Sequence, residues 1–439
     1  MARGTLLIAL YFAVATLPLW LATWLDGGSE GVLYDVGRNL GLTGFMILIL
    51  QFVLAARIKW IERAFGLDIL IRYHQHIAIA AVCFLLLHPI LLALGGSGWE
   101  LLLGLDLPWF IWAGKAALIL LGLNVLLSLK QSRLGLSFEK WRLGHDILGP
   151  TLLVLIVLHS WFAGSDLGLA SMRVLWIVAF LLAGGIFLHH RFLRPYLLRR
   201  HAFRVRDVRQ ETDDVWTVEL TPPKDGRIED FLPGQFHFLT FFRDPSLPVE
   251  EHHWTISSSP ARKDSVSSTI KEAGDFTATI GRTKPGDTAA VNGPFGRFSH
   301  LLHPEERDLV FLAGGIGITP LMGMLRHMRD TGDTRTVTLF YANRREEDIL
   351  FRKELEDMAT DDHPRLSLIN VLSRPGSDWM GESGRLNEER IKKYCGPNLR
   401  EKSYYVCGPL KMARDLIETL KRLGIPDNRI RREIFSFLD

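Results

Sequence analysis

HQHIAIAAVCFLLLH occupies residues 74–88, and HDILGPTLLVLIVLH occupies residues 145–159. Each stretch begins and ends on histidine and is otherwise mainly apolar. His74 and His88 are fourteen residues apart, as are His145 and His159. At about 100° per residue, fourteen steps return to within roughly 40° of the start, so each pair shares one helix face. The rise of about 1.5 Å per residue separates the two rings of a pair by roughly 21 Å along the axis. Two such helices side by side offer two facing imidazole pairs, and each pair can hold a haem iron from both sides. Two stacked haems would then span a bilayer core of about 30 Å. His76 stands twelve residues from His88, a rotation of roughly 120°, and faces elsewhere. A single intramembrane histidine could be bonded to a neighbouring helix; the repeated spacing favours ligation.

The surrounding sequence supplies the membrane. Apolar runs fall near residues 5–25, 39–56, 77–95, 109–128, 147–163 and 172–190, each about long enough to span. The first, with Arg3 ahead of it, reads as a helix rather than a signal peptide, because its apolar run is long and no small-residue cleavage site stands out. Arg57, Lys59 and Arg63 follow the second run, Lys130, Arg133, Lys140 and Arg142 the fourth, and Arg191, Arg194, Arg199 and Arg200 the sixth. The positive-inside rule then makes the chain a multi-pass integral protein of the cell (inner) membrane with both termini cytoplasmic. His74 with His145 would ligate an inner haem, and His88 with His159 an outer one. Arg72 and Arg142 could pair with inner-haem propionates or simply be positive-inside charge. Lys115, with Arg38 and Arg173, is expected to make the outer haem edge electropositive.

Of 439 residues, 48% are hydrophobic, and nine of the twelve tryptophans precede residue 200. That length implies two to four folding units. The net charge of +3 and the lack of an Arg-rich motif exclude a nucleic-acid partner. Cys83, Cys395 and Cys407 have neither metal nor disulfide spacing.

After Arg200 the composition changes. The stretch 203–298 alternates strand-like runs (WTVEL, QFHFLTF, WTISS, FTATI) with Gly and Pro turns, and reads as a small antiparallel β-barrel. Within it, His252, Trp254, Thr255, Ser257 and Ser258 form a strand end whose amides and hydroxyls could bond a flavin edge, with Trp254 as an apolar face. Lys271, Gly274 and Thr277 suit a pyrophosphate, through charge and close backbone approach.

From residue 307 the pattern becomes strand, loop, helix. Leu309–Ala313 is a buried strand, followed by Gly314, Gly315 and Gly317, then Thr319 as N-cap and Pro320 as first residue of a helix. Glycine amides ahead of a helix suit a pyrophosphate. Further strands at Thr336–Tyr341, Leu366–Leu372 and Ser403–Cys407, with helices after the first and third, predict a doubly wound parallel sheet. Nucleotide-selecting residues belong at the carboxyl ends of its strands, where Arg344, Ser373 and Arg374 stand. No acidic residue replaces Arg374 to hold a free ribose 2′-hydroxyl, so NADPH is favoured, with NADH possible. The terminal Phe435 could cover a flavin face, or belong to a packed edge strand.

These residues resemble the transmembrane NADPH oxidase and ferric reductase family, in particular bacterial members without an EF-hand segment. The resemblance rests on the paired histidines, on His252-His253-Trp254-Thr255, and on Ile270-Lys271 with Gly274-Asp275-Phe276-Thr277. It rests also on Gly314-Gly315-Ile316-Gly317-Ile318-Thr319-Pro320 with Cys407-Gly408-Pro409, and on Glu433-Ile434-Phe435. It departs from the family at His253, which replaces a proline, and at Gln51, near where some oxidases carry an arginine beside the outer haem.

The resemblance implies three parts: a six-helix transmembrane di-haem domain at 1–200, an FAD-binding β-barrel at 201–303 and an NAD(P)-binding α/β domain at 304–439. The last two form a ferredoxin-reductase-like module. It implies FAD and two b-type haems, with Phe435 and Cys407 at the site of hydride transfer and Gly408 and Pro409 on the nucleotide. Electrons would pass from cytosolic NADPH to oxygen, giving superoxide, or to a ferric chelate. An alternative is an electron donor to an extracytoplasmic partner protein.

Overall fold

The computed structural model describes residues 2–26, 30–131 and 133–433. Its contacts divide the chain into two compact units, Met1–Arg194 and Pro195–Asp439. Phe435 lies outside the described residues.

The first unit is helical: α1 (Ala2–Asp26), α2 (Val32–Ala55), α3 (Lys59–Phe65), α4 (Leu67–Leu92), α5 (Glu100–Leu103), α6 (Trp109–Lys130), α7 (Phe138–Ala163) and α8 (Ala170–Leu188). Among the described residues, six helices are long and apolar enough to cross a membrane. Two of them start well before their apolar runs. Gly66, at φ 89, sets the start of α4, and the Ser137 hydroxyl accepts from the Lys140 amide at 3.4 Å to cap α7. Positive φ suits glycine, and serine is a favoured N-cap. His74 and His145 therefore lie two turns inside continuous helices rather than at frayed ends.

Close packing in the bundle depends on small residues. A Cβ at Gly37 would stand 3.0 Å from the Leu91 Cβ, and one at Gly44 would stand 2.8 Å from Leu85. With lipid outside, helices associate mainly through such backbone approach. On the other side of α2, Phe45 stacks on Trp176 with ring centres 4.4 Å apart, and the Trp176 Nε1 donates to Ser160 at 2.9 Å. The indole is thus buried with its one donor satisfied.

The second unit opens with α9 (Arg194–Arg200) and then builds two sheets. The first has strands β1 (Phe203–Thr212), β2 (Val215–Thr221), β3 (Phe236–Phe242), β4 (Glu251–Thr255), β5 (Val266–Lys271) and β6 (Thr288–Phe295), in the order β4-β3-β6-β1-β2-β5. All pairings are antiparallel. The ladder is open, not the closed barrel expected. Its edges β4 and β5 meet only at the bridge Ile256–Ser268, because β4 ends after five residues. FTATI is not a strand either. Residues Thr277–Arg282 form a 3₁₀ turn, whose start is tied down by the Thr277 hydroxyl.

The second sheet contains β7 (Asp308–Gly314), β8 (Thr336–Asn343), β9 (Arg365–Leu372), β10 (Glu382–Ser383), β11 (Ser403–Cys407) and β12 (Ile430–Glu433). Its order is β10-β9-β8-β7-β11-β12 and every pairing is parallel. Helices α10 (Ile318–Thr331), α11 (Arg352–Thr360), α12 (Glu388–Cys395) and α13 (Leu410–Arg422) follow β7, β8, β10 and β11. Residues along β7 alternate between two cores. Leu309, Phe311 and Ala313 pack with residues of α10 and α11, and Val310 and Leu312 with residues of α12 and α13. All five are fully buried. The doubly wound expectation holds on this alternation. Truncating Phe311 to alanine would cost about 3–5 kcal/mol. The sequence reading missed α12, which is eight residues long and mostly charged.

Candidate functional site

The bundle brings the four histidines together in two pairs. Ring centres are 6.2 Å apart for His74 and His145, and 6.5 Å apart for His88 and His159. Metal–imidazole bonds of about 2 Å place two axial rings on one iron about 6.3 Å apart, centre to centre. Both pairs fit that span. Residue His145 is followed by Asp146, which pairs with Arg191 at 3.1 Å, so the His74/His145 level lies where α8 ends. His76 turns away and bonds the Arg72 carbonyl through Nδ1 at 2.7 Å, as its rotation requires.

Second partners orient the rings. His88 Nδ1 donates to the Gly37 carbonyl at 2.8 Å, and His159 Nδ1 to the Phe110 carbonyl at 2.9 Å. His145 Nδ1 donates to the Asn124 side chain at 3.1 Å. A proton held on Nδ1 leaves Nε2 as the metal-binding nitrogen. His74 differs: its Nδ1 is buried and, among the described residues, makes no hydrogen bond of ordinary length, the Gln51 backbone being its nearest partner. These partners come from α2 and α6, and nothing in the sequence reading pointed to them.

Three expectations around the pairs change. Gln51 stands level with His74, not at the other end, and both ends of its buried amide lack a hydrogen-bond partner. The arginine of α2 at the His88 level is Arg38, next to Gly37. Arg38 is nearly buried and lies 3.8 Å from the buried carboxylate of Asp166, so its charge is largely balanced. Lys115 donates to the Leu102 and Gly104 carbonyls at 2.9 and 3.3 Å and lies over Trp112. Arg173 Nε donates to the Leu167 carbonyl at 2.5 Å. These three cations serve the loops that close the bundle, because a cation at that depth must find oxygen partners.

In the second unit, the flavin candidates gather at the end of β4. The His252 ring lies 4.3 Å from Phe276 and 5.6 Å from Trp254, with Nε2 held by Glu250 at 2.8 Å. Thr255 is buried. Ser257 and Ser258 do not offer free hydroxyls. Ser257 bonds the Ser267 carbonyl and the Thr269 hydroxyl at 3.2 and 3.0 Å, and the Ser258 Oγ accepts from the Ser267 amide at 3.0 Å. With the ladder open, these hydroxyls hold the β4 end to β5. Lys271 is paired with Asp214 at 2.7 Å. The Ala273 and Gly274 amides both donate to the Thr277 hydroxyl, at 2.8 and 2.9 Å. A pyrophosphate here would have to share or displace those partners. The aromatic cluster fits a flavin better than the hydroxyls do.

The nucleotide crevice lies where the strand order reverses, between β7 and β11. Its two loops touch backbone to backbone. A Cβ at Gly317 would stand 2.4 Å from the Cys407 carbonyl oxygen, and one at Gly314 would meet Met412 at 2.4 Å and Pro409 at 3.0 Å. Gly408 would meet the Gly314 amide at 3.1 Å, and Gly315 has φ +52. Helix α10 begins at Ile318 with Gly317 as its cap. Thr319 is therefore inside the first turn, its hydroxyl donating back to the Ile316 carbonyl at 3.0 Å, and Pro320 sits where an amide would be unpaired anyway.

The loops after β8 and β9 are stitched together. The Ser373 amide donates to the Asn343 carbonyl at 3.0 Å, and the Arg374 amide to the Arg344 carbonyl at 2.8 Å. Arg344, Ser373 and Arg374 are thus neighbours at the sheet's carboxyl edge, and the two guanidinium groups are exposed. Beside them the Asn343 amide is buried, near the Tyr341 hydroxyl. Cys407 is fully buried, and burial pushes its thiol well above the usual range, so it acts there as a neutral side chain.

The flavin strand end is clamped to α10 and α11. Arg326 donates to the Ser257 carbonyl at 2.7 Å and to both oxygens of Glu354 at 3.0 and 2.6 Å. A further cluster, His303, Glu305 and Glu306, has metal-ligand spacing, but Arg431 bonds both His303 and Glu306 and opposes a cation there.

Residues 40–156 match the family model described as ferric reductase like transmembrane component, and residues 311–417 that of the oxidoreductase NAD-binding domain. The chain belongs to the ferric reductase/NADPH oxidase-like family. Among curated proteins, NADH-cytochrome b5 reductase 2 of Mus musculus is 39% identical over 31% of this chain and 56% of its own length. The glycine betaine monooxygenase reductase subunit of Pseudomonas aeruginosa is 34% identical over 54% of this chain and 64% of its own. The sulfhydrogenase 1 subunit gamma of Pyrococcus furiosus is 30% identical over 53% and 78%. The chain spans 56% and 64% of the mouse and rat b5 reductases it matches.

Proposed function

We propose that this protein carries electrons from cytosolic NADPH across the membrane to oxygen or a ferric chelate on the far side. The reading rests on one observation: two imidazole pairs, 6.2 and 6.5 Å between ring centres, stacked in a bundle of membrane-crossing helices. When bound, FAD accepts a hydride and releases single electrons, and two b-type haems relay them.

The residues divide the work as follows. Gly314, Gly315, Gly317, Gly408 and Pro409 let the dinucleotide approach the backbone at the switch point. Arg344 and Arg374 meet the 2′-phosphate of NADPH, since two exposed guanidinium groups on adjacent loops match that anion. His252, Trp254 and Thr255 hold the flavin edge, with Phe435 over the ring. His74 and His145 ligate the inner haem, His88 and His159 the outer. Held from both sides by these histidines, the haems would supply outer-sphere electron transfer, for which no general acid or base is required of the chain. The positive-inside charges put both termini in the cytoplasm.

The test is purified protein supplied with FAD and NADPH. A reduced-minus-oxidised spectrum should carry a b-type band. NADPH should drive dye reduction sensitive to superoxide dismutase, or reduction of a ferric chelate. A spectrum with no haem band sinks the reading.

A further inference from the structure

The helices behind the ligand helices share one register with them. The carbonyl that meets His88 belongs to Gly37, and the equivalent residue for His74 is Gln51, fourteen further along α2. The carbonyl that meets His159 belongs to Phe110, and the residue that meets His145 is Asn124, fourteen further along α6. The two levels are therefore translated copies of one arrangement.

They differ at one kind of position. Four residues after Gly37 and Phe110 come Gly41 and Gly114, where a Cβ would stand 2.7 and 2.6 Å from Nδ1 of His88 and His159. The missing Cβ lets each ring reach a backbone carbonyl. Fourteen residues on, the same positions are Ala55 and Ser128. Each bears the Cβ that the first level excludes, and neither ring there bonds a backbone carbonyl. The Gln51 carbonyl lies near His74 without closing a hydrogen bond. His145 is held only by the side chain of Asn124, at 3.1 Å.

Asn124 is built to do this. It is buried, and its own carbonyl accepts from the Ser128 hydroxyl at 2.8 Å. Ser128 Oγ accepts from Trp141 Nε1 at 3.1 Å, and the Trp141 ring lies 5.4 Å from His145. Ser128 and Trp141 thus border the imidazole that the Asn124 side chain bonds.

We propose that Asn124 is the positioning residue of the His74/His145 haem, and that it sets that haem's potential independently of the other. The proposal rests on the two-haem reading above. An imidazole whose N–H donates to an oxygen is a better electron donor through its other nitrogen. That stabilises oxidised iron and lowers the midpoint potential. The haem of His88 and His159 has two such bonds and takes the lower potential; the haem of His74 and His145 has one and takes the higher.

The experiment is a redox titration of the detergent-purified holoprotein, followed in the haem α band, for wild type, Asn124→Leu and Asn124→Asp. Wild type should titrate in two components. Asn124→Leu should move the higher component upward and leave the lower in place. Asn124→Asp, with an anionic acceptor, should move the same component downward at full haem content. The proposal is overturned if both variants leave both midpoints unmoved, or if the two components move together. If Asn124→Leu loses a haem, Asn124→Asp decides, because it keeps the acceptor oxygen; loss of haem there too overturns the proposal. Wild type without b-type haem would overturn the two-haem reading instead, and is read before any variant.

Discussion

A Cβ placed on Gly114 would stand 2.6 Å from Nδ1 of His159. The helix that orients the imidazole and the helix that carries it touch at that point with no room for a methyl group. Gly41 and His88 repeat the contact at 2.7 Å.

Gly114→Ala should therefore displace His159 and break its bond to Phe110. A lost partner of this kind weakens metal binding by about 10–100-fold. We expect haem per chain, measured as pyridine haemochrome, to fall toward about half, while Gly122→Ala on the same helix, where a Cβ meets nothing within 4 Å, keeps full content. Equal content in both variants would argue against ligation by His159.

Gly317→Ala tests the crevice. The new Cβ would press on the Cys407 carbonyl at 2.4 Å, so the two nucleotide-binding loops must part. Overpacking of that sort costs about 1–3 kcal/mol. The expected outcome is a KM for NADPH raised by about tenfold or more, with haem content unchanged. Stopped-flow flavin reduction measures it; an unchanged KM would separate the Gly314–Gly317 loop from dinucleotide binding.

Arg374→Ala tests cofactor choice. Its amide is fixed to the Arg344 carbonyl at 2.8 Å, so the side chain can be removed without freeing the loop. A charge-assisted phosphate contact contributes about 1.5–3 kcal/mol. The kcat/KM for NADPH should drop by about tenfold or more, and that for NADH should stay level. Parallel loss with both donors would remove Arg374 from phosphate recognition.

Glu354 gives a pH dependence. Burial raises its carboxyl pKa, but hydrogen bonding from Arg326 and the charges of Arg326 and Arg329 outweigh burial and hold it below the usual 4.5. A depressed folded-state pKa adds stability above the unfolded value, and that stability is lost as pH falls through the folded value. The clamp of the flavin strand end on α10 and α11 should thus weaken below about pH 4.5. Melting temperature against pH checks it: Glu354→Gln should be less stable than wild type at pH 7, and the difference should shrink on acidification.

Much of this was legible in the chain. Fourteen residues come to about 3.9 turns of a helix, so His74, His88, His145 and His159 could be paired by face before any packing was known. Alternation and glycine punctuation gave β7, its loop and the crevice in the same way. Less legible were features set by partners distant in sequence. Ser257 and Ser258 look like ligand donors in a string, yet each bonds Ser267 of β5 in the fold. Gln51 was set beside the outer haem by the resemblance alone, although Arg57, Lys59 and Arg63, which follow its run, already place it at the inner end.

The sequence by itself determined six apolar helices, the two histidine ladders and a reductase-type module, because those depend on local periodicity and on turns that only glycine and proline permit. Tertiary structure alone decided which carbonyl meets which imidazole, and that Asn124 replaces a backbone partner at one level. Such contacts arise where two helices cross, and the Cβ that Gly41 and Gly114 lack leaves the His88 and His159 rings the room to make them.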